Sequence, residues 1–287
     1  MIDRWWAHVR IVLEMIKFEH TLFALPFAFM GAVLAQGGIP PLRTCLWVLV
    51  AMVGARSAAM AFNRLVDRHF DAANPRTATR ALPAGSISVR FVVGFIVLAS
   101  LLLILAAWNL NRMAFLLSPV ALAIVFFYSF TKRFTAWSHA FLGLALAVAP
   151  VGAWIAVAGS LSLPPLLLGA AVLCWLIGFD TIYALQDVDF DRKVGLYSLP
   201  ARFGPAVALK LARWFHVGMI GFLLALGFTV PLGIWYFTGV ALAASLIATE
   251  HAIISPTDLR RLNMAFFQLN SIVSFGLFLF TLLDLLL

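Results

Sequence analysis

Residues 44–71 read TCLWVLVAMVGARSAAMAFNRLVDRHFD. The part up to Phe62 is mostly apolar, apart from Arg56 and small hydroxyl residues, and nearly reaches the roughly 20 residues that a helix needs to cross a hydrocarbon core. The part that follows carries Asn63, Asp67 and Asp71 at steps of four. On a helix each lies about 40° round from the last, so the three form one oxygen-bearing stripe. A lipid-compatible helix ending in a row of oxygen ligands predicts a polar site at a membrane surface.

The rest of the chain agrees. Of 287 residues 63% are hydrophobic and only 11% charged, against about 25% charged in soluble domains. Mean hydropathy is +1.02. This is the composition of an integral membrane protein, and the expected fold is all-α, a polytopic bundle of nine transmembrane helices near 18–36, 44–63, 91–110, 114–131, 138–159, 164–186, 207–229, 233–250 and 264–285. No low-complexity run divides it, so residues 1–287 read as one unit. The opening MIDRWWAHVR lacks the pattern of a cleaved signal and reads as an interfacial helix, with Trp5 and Trp6 at headgroup depth. Cys45 and Cys174 both fall in apolar runs and read as packing residues rather than a disulfide or metal pair.

Placing alternate loops on opposite sides gathers all but Arg43, Arg112 and the intraspan Arg56 of the 20 basic residues on one side. That asymmetry predicts a cytoplasmic N-terminus and a cytoplasmic site in the cell membrane. The net charge of +8 is therefore mostly topology. Binding to nucleic acid, which wants a basic surface with stacking aromatics, is not expected, and nothing calls for an obligate protein partner.

A second acidic cluster, DTIYALQDVDFD at 180–191, places Asp180, Asp187 and Asp191 at steps of seven and four, which reads as a second stripe. Both clusters end even-numbered spans and run on to a Leu-Pro, in RALPAG and YSLPARFG. The motifs at 63–85 and 180–204 thus suggest two weakly repeated halves with a site between them. Adjacent arginines offer a plainer explanation, solvated juxtamembrane salt bridges, but ionisable groups at membrane depth are costly and point to function. Two facing carboxylate stripes call for a cation between them. Mg²⁺ fits, because it takes one or two carboxylates and completes its shell with water and substrate phosphate oxygens.

Arg76 and Arg80, again four apart, and Lys132 supply donors for phosphate oxygens. Carboxylates, Mg²⁺ and basic side chains together describe a diphosphate site, with an apolar bundle beneath it able to hold an attached hydrocarbon.

Asn63, Asp67 and Asp71, followed by Arg76-Thr77, Arg80 and Leu82-Pro83-x-Gly85 and joined to DTIYALQDVDFDRKVG, resemble the UbiA superfamily of intramembrane aromatic prenyltransferases over almost the whole chain. The second motif is closest to the 4-hydroxybenzoate branch. The first span and the ARSAAMAFNR lead-in are more similar to the subgroup that includes enzymes acting on a dihydroxynaphthoate in the menaquinone pathway. The resemblance implies transfer of a polyprenyl group from its diphosphate to the ring of an aromatic acid. It implies that Asn63, Asp67, Asp180 and Asp187 hold Mg²⁺, with Asp71 and Asp191 as nearby ligands or support. Arg76, Arg80 and Lys132 would hold the diphosphate, Tyr128 and Tyr183 would line the reacting centre, and Arg56 would receive the acceptor's carboxylate. Asp191 is a candidate proton acceptor. Glu19 and His20 fall in a family-like segment.

Two other classes compete. A CDP-alcohol phosphotransferase motif would need an Asp-Gly before Ala55-Arg56 and a Gly where Leu65 stands. A secondary transporter would use intramembrane acids and an internal repeat, yet has no need of paired oxygen stripes beside Arg76 and Arg80.

Overall fold

A computed structural model describes residues 10–16 and 21–287; Trp5, Trp6, Glu19 and His20 lie outside the described residues. The described chain is helical: α1 (Thr21–Gln36), α2 (Leu42–Ala73), α3 (Val89–Leu110), α4 (Arg112–Thr131), α5 (Ser138–Ala158), α6 (Leu163–Tyr183), α7 (Val188–Val194), α8 (Leu199–Phe203), α9 (Pro205–Thr229), α10 (Ile234–Ile253) and α11 (Asn270–Leu286). A 3₁₀ turn (Ala184–Asp187) links α6 to α7, and a π-helical turn (Met264–Leu269) precedes α11. Eight of the described helical segments are long and apolar enough to cross a membrane. The first of the nine expected spans appears as α1, with 16 described residues.

Two boundaries differ from the sequence expectation in ways that matter. The second span, expected to end at residue 63, continues as one helix of 32 residues to Ala73. At about 1.5 Å per residue it is ~48 Å long, well beyond a hydrocarbon core of roughly 30 Å. The stripe of Asn63, Asp67 and Asp71 therefore rides on helix that projects past the lipid-matched segment. The sixth span behaves differently. α6 ends at Tyr183, the 3₁₀ turn follows, and α7 stops at Gly195, whose φ of 72° is the left-handed conformation that suits glycine. Asp180, Asp187 and Asp191 thus sit on three successive pieces of backbone rather than on one straight stripe. Apolar periodicity carries no signal for such a break.

Helices α2 to α6 pack in chain order, α6 packs on α9, α10 on α11, and α1 closes the bundle by packing chiefly on α5 and α11. Its contact with α5 is close: a side chain at Gly31 would collide with the backbone of Pro150. The outer surface is apolar, with Leu98, Trp108, Trp214 and Phe228 largely exposed, as lipid contact requires.

The two sides of the bundle are filled differently. Large side chains of α1, α6, α9, α10 and α11, among them Phe27, Met30, Trp175, Leu223, Tyr236 and Leu277, form a solid core. Within it Trp175 donates to Asn270 Oδ1 at 2.6 Å, and Asn270 donates to buried Glu250 at 3.2 Å. Between α2, α3, α4 and α5 the facing residues are small, including Ala55, Ala107, Ala121, Ala145 and Ala149, and a cavity of about 300 Å³ remains. Beside the lining residues Leu110, Ala114, Ile155 and Ala156, Asn111 ties α4 to α5: its side chain caps α4 through Ala114 N (2.9 Å) and donates to the carbonyls of Ile155 (2.7 Å) and Ala156 (3.0 Å).

Candidate active site

The overhanging end of α2 brings its oxygen stripe against residues from the end of α4 and the loop before α3. Asp67 is 2% exposed and meets Lys132 Nζ at 2.7 Å, Arg133 Nη2 at 3.3 Å and the Asn63 amide at 3.0 Å. Arg133 is held in turn by the Val66 carbonyl at 2.9 Å and lies over the rings of Phe70 and Phe130. One turn on, Asp71 accepts from Arg80 at 2.6 Å and faces Arg64 at 3.8 Å. Arg64 is 7% exposed. The Asp67 and Asp71 carboxylates are buried and each is shared between two cations, which a solvated surface salt bridge does not describe. The loop that follows is built to return to the helix: Asn74 Oδ1 accepts from Arg76 N, and the Thr77 hydroxyl donates to the Asp71 carbonyl, both at 2.9 Å.

The second motif meets the first at this same end. Arg76 donates to both oxygens of Asp187, at 3.0 and 2.7 Å, a paired geometry that suits a planar guanidinium. Burial is the largest single influence on Arg76 and opposes its charge, but the hydrogen bonds to Asp187 and the attraction of Asp187, Tyr183 and Asp71 together outweigh it and hold its pKa above the ordinary arginine value. The Tyr197 N–H donates to the Lys132 carbonyl at 2.7 Å, tying the strap after α7 to the end of α4. Ser198 donates to Asp191 Oδ2 at 2.9 Å, and Asp180 Oδ2 pairs with His139 Nδ1 of α5 at 2.6 Å.

Every carboxylate expected to bind metal or diphosphate therefore already has a charged or hydrogen-bonding partner, and Arg76, Arg80 and Lys132 are three of those partners. Among the described residues no three His, Cys, Asp or Glu side chains converge as a metal cage. The donor set still fits Mg²⁺, because that ion binds through one or two carboxylates with substrate phosphates and water supplying the rest. Asn63, Asp67, Asp180 and Asp187 offer oxygen ligands only, and no cysteine lies beside them.

The expected lining of the reacting centre divides. Arg56 and Tyr128 both line the cavity, at its end nearest the Asp67 cluster, in walls that are otherwise almost wholly apolar. Tyr183 lies apart from that wall and packs its ring on Phe266 of the π turn, with centroids 4.1 Å apart. The sequence reading missed Arg133 and His139. Arg133 stands next to Lys132 and looks like another topological charge. His139 opens α5, 41 residues from its partner, where nothing local betrays a link; the one signal is a histidine at the start of an otherwise apolar span.

The chain matches known proteins over most of its length. The family model for the UbiA prenyltransferase family matches residues 24–272. A 4-hydroxybenzoate octaprenyltransferase of Nitrosospira multiformis is 34% identical over 266 residues, covering 92% of this chain and 91% of that protein. A UbiA homologue from Aeropyrum pernix K1, solved in its apo form, superposes with a TM-score of 0.84 at 36% identity, covering 93% of this chain and 98% of the other. A UbiA homologue from Archaeoglobus fulgidus bound to DMAPP and Mg²⁺ has the same fold, with a TM-score of 0.76 at 22% identity over 96% of this chain and 99% of the other. A charged crown over an Ala-lined cavity, two aspartate motifs at one end of a helical bundle and a match running through most of its length lead to one conclusion: the chain belongs to the UbiA prenyltransferase family.

Proposed function

We propose that this protein transfers a polyprenyl group from polyprenyl diphosphate to the ring of an aromatic acid, with Mg²⁺ as cofactor, and that the acceptor is 4-hydroxybenzoate, as in ubiquinone biosynthesis. The observation that carries the proposal is the exchange the ion pairs permit. Arg76, Arg80 and Lys132 neutralise Asp187, Asp71 and Asp67 directly above an apolar cavity. Arg76, Arg80 and Lys132 could turn to the oxygens of a diphosphate, and the carboxylates they leave would then be available to hold Mg²⁺. Each carboxylate and each cation would keep a partner of opposite charge, so the buried aspartates are never left unpaired.

In this reading Asn63, Asp67, Asp180 and Asp187 would hold the metal, which would supply Lewis-acid stabilisation of the departing diphosphate. Arg76, Arg80 and Lys132 bind the diphosphate oxygens and stabilise charge as the allylic C–O bond breaks. The cavity takes the hydrocarbon and keeps water from the resulting cation. Tyr128, in the cavity wall, presents its ring face to it, whereas Tyr183 stays packed on Phe266 outside that wall. Arg56 orients the acceptor through its carboxylate. The ring carbon beside the phenol hydroxyl forms the new bond, and its proton passes to a carboxylate, with Asp191 the candidate. The chain works as a single unit with its site on the cytoplasmic face of the cell membrane.

The test is prenyl transfer by the full chain in lipid nanodiscs. Geranyl or farnesyl diphosphate is supplied with and without Mg²⁺, and 4-hydroxybenzoate, 1,4-dihydroxy-2-naphthoate and 1,4-dihydroxy-6-naphthoate are offered separately, with products read by mass. A Mg²⁺-dependent product with 4-hydroxybenzoate is expected. A product with a naphthoate alone would move the enzyme to menaquinone synthesis. Absence of any product, with charge-coupled uptake into liposomes, would favour a transporter.

A further inference from the structure

The two Leu-Pro segments play no part in the chemistry above, and His139 has no role there. The structure joins the second of these segments to His139. α8 begins at Leu199 with Ser198 as its cap, and the first amides of a helix have no partners within it. Here each is accounted for. The Leu199 N–H donates to His139 Nε2 at 3.4 Å, Pro200 has no N–H, the Ala201 N–H reaches Ser198 Oγ at 3.3 Å, and the Arg202 N–H reaches the Ser198 carbonyl at 2.9 Å. The consequence falls on the imidazole. With Nε2 accepting from Leu199, the ring proton sits on Nδ1 and is donated to Asp180 Oδ2 at 2.6 Å. His139 is 4% exposed and Leu199 fully buried, so neither swings away.

We propose that His139 is a positioning residue for Asp180: a neutral imidazole, fixed by the Leu199 N–H, that holds one oxygen of this carboxylate and leaves the other, on a side chain 23% exposed, for a ligand. The same turn holds the neighbouring acid, because Ser198 caps α8 while donating to Asp191 at 2.9 Å. The Ser-Leu-Pro turn thus sets two carboxylates at once, and a Pro at the second helical position fits because its missing N–H would otherwise have competed for an acceptor. The inference rests on the reading of Asp180 as a metal ligand. Partners that orient a ligand typically contribute about 10- to 100-fold to metal affinity.

The test titrates Mg²⁺ in nanodiscs and measures geranyl diphosphate binding by calorimetry, with no turnover involved. His139→Ala is expected to raise the half-saturating Mg²⁺ concentration by about 10- to 100-fold, and His139→Asn, which keeps an N–H donor, to restore much of the loss. An unchanged Mg²⁺ requirement in a His139→Ala protein that elutes and melts like wild type overturns the proposal. If His139→Ala fails to fold, His139→Gln and His139→Leu fill the space and differ in the donor, and equal Mg²⁺ requirements for that pair overturn it equally. Wild-type binding indifferent to Mg²⁺ would remove both this role and the metal reading of the site, whereas a Mg²⁺-dependent wild type with an indifferent His139→Ala removes this role alone.

Discussion

Arg76 and Asp187 are 111 residues apart in the sequence and form a paired ion bridge, with both carboxylate oxygens accepting from one guanidinium at 3.0 and 2.7 Å. This contact joins the two motifs across the entrance to the site. If Arg76 trades Asp187 for diphosphate, Arg76→Ala raises KM for the prenyl diphosphate by roughly 10- to 150-fold, the equivalent of about 1.5–3 kcal/mol for a hydrogen bond to a charged group. Arg76→Lys recovers little, since an ammonium cannot reproduce the fork. Because the Arg76 side chain is 38% exposed, Tm should hardly move. Steady-state kinetics beside a melting curve checks both.

Asp67 is a different case. Its 3% exposed side chain pairs with Lys132 and Arg133, so removing it strands two cations. Asp67→Ala is expected to lower kcat/KM by about 10²–10³-fold or more, and also to destabilise the fold. The cost stays below the about 3–5 kcal/mol of a fully buried pair, because both cations are one-third exposed. A variant with wild-type turnover would remove Asp67 from the site.

The cavity predicts chain-length selection. Ala149 lies in its wall, and Ala149→Phe would occupy space that long prenyl chains need. The expected result is a loss of kcat/KM with long-chain diphosphates, retained activity with geranyl diphosphate and no fall in Tm. Equal losses for all chain lengths would place the hydrocarbon elsewhere.

Arg56 shares that cavity but is assigned to the acceptor. Arg56→Ala should raise KM for 4-hydroxybenzoate by roughly 10- to 100-fold through loss of a charge-assisted pair, and leave KM for the prenyl diphosphate near its original value. A change confined to the diphosphate would reverse the assignment.

At the opposite end of the bundle, Asp284 of α11 accepts from the backbone N–H groups of Gly233, Trp235 and Tyr236 at 2.6, 3.1 and 3.2 Å, capping the start of α10 from another helix. Asp284→Ala should destabilise by about 1–2 kcal/mol with unchanged KM values. Thermal unfolding in detergent measures the first and the transfer assay the second.

The sequence by itself determined the class of fold and the types of side chain gathered at the candidate site. Runs of about 20 apolar residues admit only helices in lipid, since every backbone polar group must be satisfied within its own segment. Asn63, Asp67 and Asp71 at steps of four can share a helix face for the same geometric reason, and they do. Only the structure decided that α2 runs on unbroken to Ala73, that the second motif breaks across a 3₁₀ turn, and that the hollow lies between α2 and α5 while Trp175 and its neighbours fill the other side. It also decided the partners: Asp67 with Lys132 and Arg133, Arg76 with Asp187, His139 with Asp180. Apolar periodicity reports which face of a helix is buried and local spacing reports what shares it, but which charges meet is fixed by how separate helices pack, through contacts between residues tens to more than a hundred positions apart.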